Sequence, residues 1–268
     1  MANRDKRNNN ELKKEYMAKK KSLVANEPFL TGMTEYSVPK EKNLDFKVKL
    51  KCKNVKQKEF FNILRERSKD IVFGVGSAGA GKTYVAMSEA LTELRDGLCD
   101  KIIFVTPTTE AGSNATRIGL LPGTAEEKVA PYIENMRDTI TKILKTGGNY
   151  NPEELAKSLI KDGKVEVKLM NYARGTTYEN SIVIIDEGEN FSKSEMLLLL
   201  TRIGENTRYF ILGSEKQCDR KDIRMEGKSG MMYAFEKLSG LEEIGSIEFT
   251  DEDVVRNPLI SKILKLWD

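Results

Sequence analysis

Histidine is missing from the 268 residues altogether. That absence removes Ser-His-Asp and Cys-His nucleophilic sites, and the usual imidazole-bearing zinc sites. Any catalysis must then run on carboxylates, Lys, Arg, Thr and a metal held by oxygen. Cysteine is scarce too: Cys52, Cys99 and Cys218 are odd in number and far apart, so neither a disulfide framework nor a CxxC metal site can be drawn from them, and a reducing compartment fits. No apolar run approaches the roughly 20 residues of a membrane span. The N-terminus, "MANRDKRNNNELKKEYMAKKK", is basic but has no apolar segment behind it, so neither export nor a membrane is indicated and the expected location is cytoplasmic.

What the chain does have is the makeup of a globular protein, 39% hydrophobic and 32% charged. A chain of this length buries roughly 75% of its unfolded surface. The net charge of +3 is unevenly spread, because the first 21 residues carry a local +5 and leave −2 for the rest. Two readings of that tail stand: a solvated, mostly disordered segment, or an arm that neutralises nucleic-acid phosphates. The two prolines of "NEPFLTGMTEYSVPKEKN" mark a linker or wrapping arm, so residues 1–45 are expected to be tail and linker and residues 46–268 the compact domain. "LDFKVKLK" alternates as a half-buried strand would.

Beyond it, strand-like runs alternate with helical ones. Strands are expected at "IVFGVG" (71–76), "KIIFVT" (101–106), "KVEVKLMN" (164–171), "SIVIIDE" (181–187), "RYFILG" (208–213) and "SIEFT" (246–250). Helices are expected from Lys82, around 125–145 and 152–162, and near 193–203 and 229–239. The fold class is α/β, with a mostly parallel central sheet and helices on both faces.

"GSAGAGKT", Gly76 to Thr83, fits G-x-x-x-x-G-K-[ST] and sits between a buried strand and a helix, as a P-loop requires. Backbone N–H groups converge on a phosphate only where no Cβ obstructs them, so Ser77, Ala78 and Ala80 are small and Gly76, Gly79 and Gly81 permit unusual dihedrals. Lys82 is expected at the β/γ-phosphates of ATP and the Thr83 hydroxyl on Mg2+, with Tyr84 next to the cradle. "SIVIIDEGEN" delivers two carboxylates to a strand end: Asp186 for the Mg2+ ion and Glu187 to polarise the attacking water, a pairing that implies hydrolysis. The plainer alternatives are an acidic turn after a core strand, or a small-molecule kinase with its base elsewhere.

Gln217 of "ILGSEKQCD" is either a γ-phosphate sensor or a surface glutamine. Arg256 either pairs with Asp253 or neutralises charge in the transition state. The long polar loop "TPTTEAGSNATRIGLLPG", with Arg117, is either a contact surface for single-stranded nucleic acid or an oligomer contact.

The order of these pieces resembles the PhoH-like protein family, RecA-type ATPases related to superfamily 1 helicases. "NVKQKEFF", "GSAGAGKTYVAM", "TPTTEAG" with "IGLLPGTAEEKVAPYI", "NYARGTT", "IVIIDEGENF", "LLTRIG", "ILGSEKQCD" and "DVVRNPLI" carry the resemblance over roughly residues 54–265. It implies ATP hydrolysis on one RecA-like domain, Gln57 reading the adenine end, and a homo-oligomeric ring, a hexamer. A single such domain leaves one side of the nucleotide open, so a neighbouring subunit is expected to supply an arginine in trans, with Arg202, Arg174 and Arg256 as candidates. The chain departs from the family pattern at Glu189, where a glutamine is usual, at Ser214 in place of aspartate, and at Thr176 in place of arginine. Two functions remain open: an ATPase acting on single-stranded RNA or DNA, or a nucleotide switch controlling a protein partner.

Overall fold

The computed structural model describes residues 44–107 and 125–255. The basic tail, the loop with Arg117, and Arg256 lie outside the described residues. Among these, β1 (Ile71–Gly76), β2 (Lys101–Thr106), β3 (Val165–Leu169), β4 (Ser181–Ile185), β5 (Arg208–Gly213) and β6 (Ile244–Phe249) form one sheet in the order β3-β2-β4-β5-β1-β6. Every pairing is parallel, with Ile71 opposite both Tyr209 and Ile244, and Val105 opposite Ile185. All the strands therefore end at the same edge.

Helices cover both faces, which is why the inner strands β1, β2, β4 and β5 read as apolar runs, whereas the edge strands β3 and β6 mix apolar and polar positions. On one face Val72, Ile102, Phe104, Ile182, Ile184, Phe210 and Leu212 pack under α1 (Val55–Arg65), α2 (Lys82–Arg95), α3 (Ala125–Thr146) and α4 (Pro152–Lys161). On the other, Phe73, Val75, Ile103, Val105, Val183, Ile185, Tyr209 and Ile211 meet α5 (Lys193–Leu200) and α7 (Gly230–Leu238). The short α6 (Lys221–Met225) precedes α7. Among the described residues no helix is long and apolar enough to cross a membrane.

α1 is held by two devices. The Asn54 side chain caps it by accepting from the Gln57 N–H at 2.8 Å. Phe60, fully buried, lies edge-on to Phe249 of β6 with ring centroids 5.6 Å apart. The helix comes so close to β1 that a Cβ on Gly74 would sit 2.9 Å from the Phe60 ring, so this strand position needs glycine.

One expectation is corrected: Leu44–Lys51 alternates in burial but forms no strand. Phe46 is buried and Leu44, Val48 and Leu50 pack on the core. The Lys47 backbone is instead satisfied by the Asn149 side chain, which accepts from its N–H at 2.7 Å and donates to its carbonyl at 2.6 Å. An amide side chain thus takes the place of a neighbouring strand. The helix expected over 193–203 stops at Leu200, and the last strand begins at Ile244 rather than at 246.

A buried ionic cluster pins α2 to the sheet's opposite edge. Arg208 donates to Glu93, to the Lys69 carbonyl at 2.9 Å and to the Glu66 carbonyl at 3.0 Å, and Arg67 also reaches Glu93. One turn before Glu93, buried Glu89 has an Oε2 atom with no hydrogen-bond partner. Burial first, and then the charge of Glu93, push its carboxyl from an ordinary 4.5 up to about 8, against the opposing pull of Arg65 and Arg208. Below pH 4.5 the group is protonated in both states; between 4.5 and 8 the unfolded chain releases a proton that the folded chain keeps, so stability falls as pH rises and levels off above 8. Glu89→Gln should therefore stabilise by on the order of 1–3 kcal/mol at about pH 8.5 and by much less at about pH 5.5. Thermal melts at the two pH values read this directly; an equal change at both would mean that Glu89 does not hold its proton in the fold.

Candidate nucleotide-binding site

The strand edge that gathers the carboxyl ends of β1, β4, β5 and β6 also gathers most of the candidate residues. β1 closes at Gly76, whose φ is +126°; a Cβ there would lie 1.9 Å from the Phe249 carbonyl oxygen of β6. Gly79 and Gly81 have φ of +82° and +84°, so the loop turns back on itself through conformations that glycine alone adopts readily. Gly81 is the N-cap of α2 and provides no side-chain capping bond. The first-turn amides of α2 are left to an anion, with the helix dipole favouring one.

Lys82 is buried, and its ammonium donates to the Gly76 carbonyl at 2.7 Å and the Ser77 carbonyl at 2.9 Å, bridging the loop. The Thr83 hydroxyl donates to both carboxylate oxygens of Asp186, at 3.0 and 3.2 Å. α2 and the end of β4 thus bring together the two residues expected to hold Mg2+. Burial pushes the Asp186 carboxyl up, while Thr83, the Glu187 N–H and Lys82 draw it back.

Glu187 follows in the left-handed region, at φ +52°, an uncommon conformation for a side chain of this size. That turn leaves Glu187 exposed above Asp186. Its carboxyl is also raised, by desolvation first and then by Asp186 and Asp219. A cavity of about 120 Å3 opens here, lined by Thr83, Asp186 and Glu187 together with Phe104, Thr106, Pro107 and residues of α3 such as Tyr132 and Asn135.

Glu189, one of the departures from the family pattern, is buried and accepts from the Ser214 N–H at 2.9 Å. Desolvation pushes its carboxyl up to about 7, with Glu187 and Asp186 adding to the rise and the backbone N–H bonds opposing it. Ser214 is the second departure, and through its N–H the ends of β4 and β5 are tied together. Thr176, the third, is half-buried in the turn before β4, its N–H bonded to the Ala173 carbonyl at 3.4 Å.

The remaining candidates are more dispersed. Gln217 is exposed in the turn after β5, its N–H bonded to the Ser214 carbonyl at 3.0 Å. Tyr84 packs on the core, and its hydroxyl is directed at Thr146 of α3, 3.4 Å away. Arg202 donates to the Leu198 carbonyl and the Thr201 hydroxyl, both at 3.3 Å, on the stretch that leads from α5 to the start of β5. It therefore lies toward the strand-start edge, away from the loop. Arg174 is exposed. Gln57 is 4% exposed, with both ends of its amide bonded inside the chain: Oε1 accepts from the Lys53 N–H at 2.7 Å and Nε2 donates to the Ala80 carbonyl at 2.8 Å.

The sequence reading named Asp253 only as a partner for Arg256 and missed that the turn Thr250–Val255 holds the glycine loop and the start of α1. There Asp251 accepts from the Ser77 hydroxyl, Asp253 offers its carbonyl to Asn54 at 2.9 Å, and the Val255 N–H bonds the Gly79 carbonyl at 3.1 Å. The acidic run "TDED" was the available signal. Its partners lie up to 199 positions away in the chain, which no local pattern reveals.

Nucleotide and Mg2+ fit this geometry on three counts: an uncapped helix N-terminus behind a glycine loop, a lysine already folded over that loop, and a hydroxyl paired with one carboxylate. Among the described residues no group of three or more His, Cys, Asp or Glu could hold a metal by itself.

The chain is similar in sequence to proteins of a known family. A PhoH-like protein from Bacillus subtilis (strain 168) is 35% identical over 219 residues, 82% of this chain and 64% of that protein. Protein PhoH of Escherichia coli (strain K12) is 34% identical over 200 residues, 75% of this chain and 53% of that protein. The chain thus spans less than two thirds of the length of these relatives. Among solved structures, the large terminase of a thermophilic bacteriophage in complex with ADP aligns with a TM-score of 0.48 at 16% identity, over 79% of this chain and 49% of that one. The family model described as PhoH-like protein matches residues 49–268, and the chain belongs to that family.

Proposed function

We propose that this chain hydrolyses ATP with Mg2+ on a single RecA-like domain, taken as residues 46–268, and couples turnover to binding or remodelling of single-stranded RNA or DNA within a homo-oligomeric ring, a hexamer on the family resemblance. The observation that carries the catalytic part is the meeting of Thr83 with Asp186 beneath an exposed Glu187, at the mouth of the glycine loop. Loop amides and Lys82 would bind the β- and γ-phosphates. Thr83 and Asp186 would hold Mg2+, Asp186 through its water shell, and the ion supplies positive charge to the phosphate oxygens.

Glu187 takes the proton from a water whose oxygen attacks the γ-phosphorus, and the bond from that phosphorus to the ADP oxygen breaks. Its carboxyl is raised by desolvation first and then by Asp186 and Asp219, a direction that makes it a stronger base. Gln217, in the turn after β5, is the candidate reporter of the γ-phosphate.

Lys82→Ala should lose most ATP binding, whereas Glu187→Gln should bind ATP near normally and lose turnover by roughly 10²-fold or more. Binding and single-turnover assays separate the two phenotypes. Wild-type hydrolysis by Glu187→Gln would remove Glu187 from the role of base.

Adding single-stranded RNA or DNA should raise ATP turnover. Deleting residues 1–25 should weaken that binding and flatten the slope of log K against log salt by about 0.7 for each single-strand phosphate that the tail neutralises. Turnover indifferent to nucleic acid would favour a nucleotide switch acting on a protein partner. Unchanged affinity and slope would make the tail a solvated segment only.

Arg202, lying away from the loop of its own subunit, and exposed Arg174 suit a role at a neighbour's nucleotide; Arg256 is the third candidate. A Lys82→Ala chain mixed with an arginine-to-alanine chain should regain ATPase if that arginine serves the adjacent site, since some interfaces then pair an intact loop with an intact arginine. No recovery for any of the three, in mixed oligomers verified by mass, would rule out the trans arrangement.

A further inference from the structure

We propose that Gln57 is a positioning residue which, together with the Val255 amide, clamps the outer rim of the P-loop so that the Ala80 and Gly81 N–H groups face the phosphates, and that it does not select the base; this rests on the reading of the loop as a triphosphate site given above. The argument starts from the planar trans peptide, in which the carbonyl of one residue and the N–H of the next point in opposite directions. No peptide bond among the described residues is cis. The Gly79 carbonyl is drawn outward by the Val255 N–H at 3.1 Å, which turns the Ala80 N–H inward. The Ala80 carbonyl is drawn outward by Gln57 Nε2 at 2.8 Å, which turns the Gly81 N–H inward in the same way. Two neighbouring peptide planes are thus aimed by two partners on the loop's back.

Gln57 is well fixed for this task. Its Oε1 is held by the Lys53 N–H at 2.7 Å, and its own N–H is held by the Asn54 cap at 2.8 Å. Asn54 in turn donates to the Asp253 carbonyl at 2.9 Å, so the start of α1 and the turn Thr250–Val255 form one brace. The fit is close: a Cβ on Gly81 would lie 2.7 Å from Gln57 Nε2. With both amide ends engaged and only 4% of its surface exposed, Gln57 is poorly placed to read an adenine ring.

Two substitutions separate the roles. Gln57→Ala removes the clamp. Gln57→Glu keeps an acceptor for the Lys53 N–H but sets a carboxylate against the Ala80 carbonyl. With the full chain, affinities for Mg-ATP, Mg-GTP and Mg-tripolyphosphate should fall together by about tenfold in both variants, the equivalent of one buried hydrogen bond removed, and the ATP-to-GTP ratio should hold within about twofold. A loss confined to ATP, with GTP and tripolyphosphate unchanged, would make Gln57 a base reader and overturn the proposal. A near-normal Gln57→Glu would overturn it too, because that variant preserves the anchoring of α1. If Gln57→Ala does not fold, as judged by thermal melting, Gln57→Glu carries the test. A Lys82→Ala chain that still binds tripolyphosphate normally would show instead that the loop is not the triphosphate site.

Discussion

The approach of Gly76 to the Phe249 carbonyl fixes the geometry on which the site depends. β1 and β6 pair in parallel to their last residues, with Gly76 opposite Phe249. Only a residue without a Cβ can leave the strand there, since a Cβ would lie 1.9 Å from that carbonyl oxygen. The same approach delivers the chain after β6 to the rim of the loop, where Asp251 meets Ser77 and Val255 meets Gly79. Behind it, Phe60 packs edge-on against Phe249 and brings the start of α1 to the same rim, where Gln57 meets Ala80 and Asn54 meets Asp253. One close backbone approach therefore sets both halves of the brace.

Much of the fold was legible because its signals are local. Strands buried on both faces read as apolar runs, and β1, β2 and β5 appear at the expected bounds. The glycine loop was legible for the same reason, since its conformational demands fall on consecutive residues. The stretch Leu44–Lys51 misled because alternation reports which side chains are buried, while a strand also needs a backbone partner. Here that partner is the side chain of Asn149, 102 positions on. The double engagement of Gln57 was illegible for a related reason: its Lys53 partner is local, but Ala80, 23 positions on, becomes a neighbour only once α1 has docked.

Charge in the cleft is managed by separating the carboxylates into different environments. Asp186 is tied to Thr83, and Glu187 is lifted into the open by a left-handed backbone. Glu189 is the least expected of the three, as an acid buried where relatives are expected to carry an amide. Its carboxyl, raised to about 7, holds a proton for part of the time near neutrality, so it adds less than a full negative charge beside the other two. A protonated carboxyl sets an O–H donor beside an acceptor oxygen, as an amide sets its NH2 group beside one. The departure in sequence is thus smaller in electrostatics than the change of residue type suggests.

The same side chain shows how the two ends of the site are mechanically joined. Glu189 accepts from the Ser214 N–H, and the neighbouring Asn190 side chain accepts from the Asp219 N–H at 2.9 Å. Between those two anchors lies the turn that carries Gln217. Both anchors belong to the short helix Gly188–Asn190 directly after Glu187, so that helix and the turn after β5 are held to each other at two points. Gly213 makes this possible, because a Cβ there would lie 2.4 Å from Glu189 Oε2 and force the two strand ends apart. The structural link between the carboxylate floor and the Gln217 turn is therefore made of two hydrogen bonds and one missing side chain, and it runs across the sheet edge rather than along the chain.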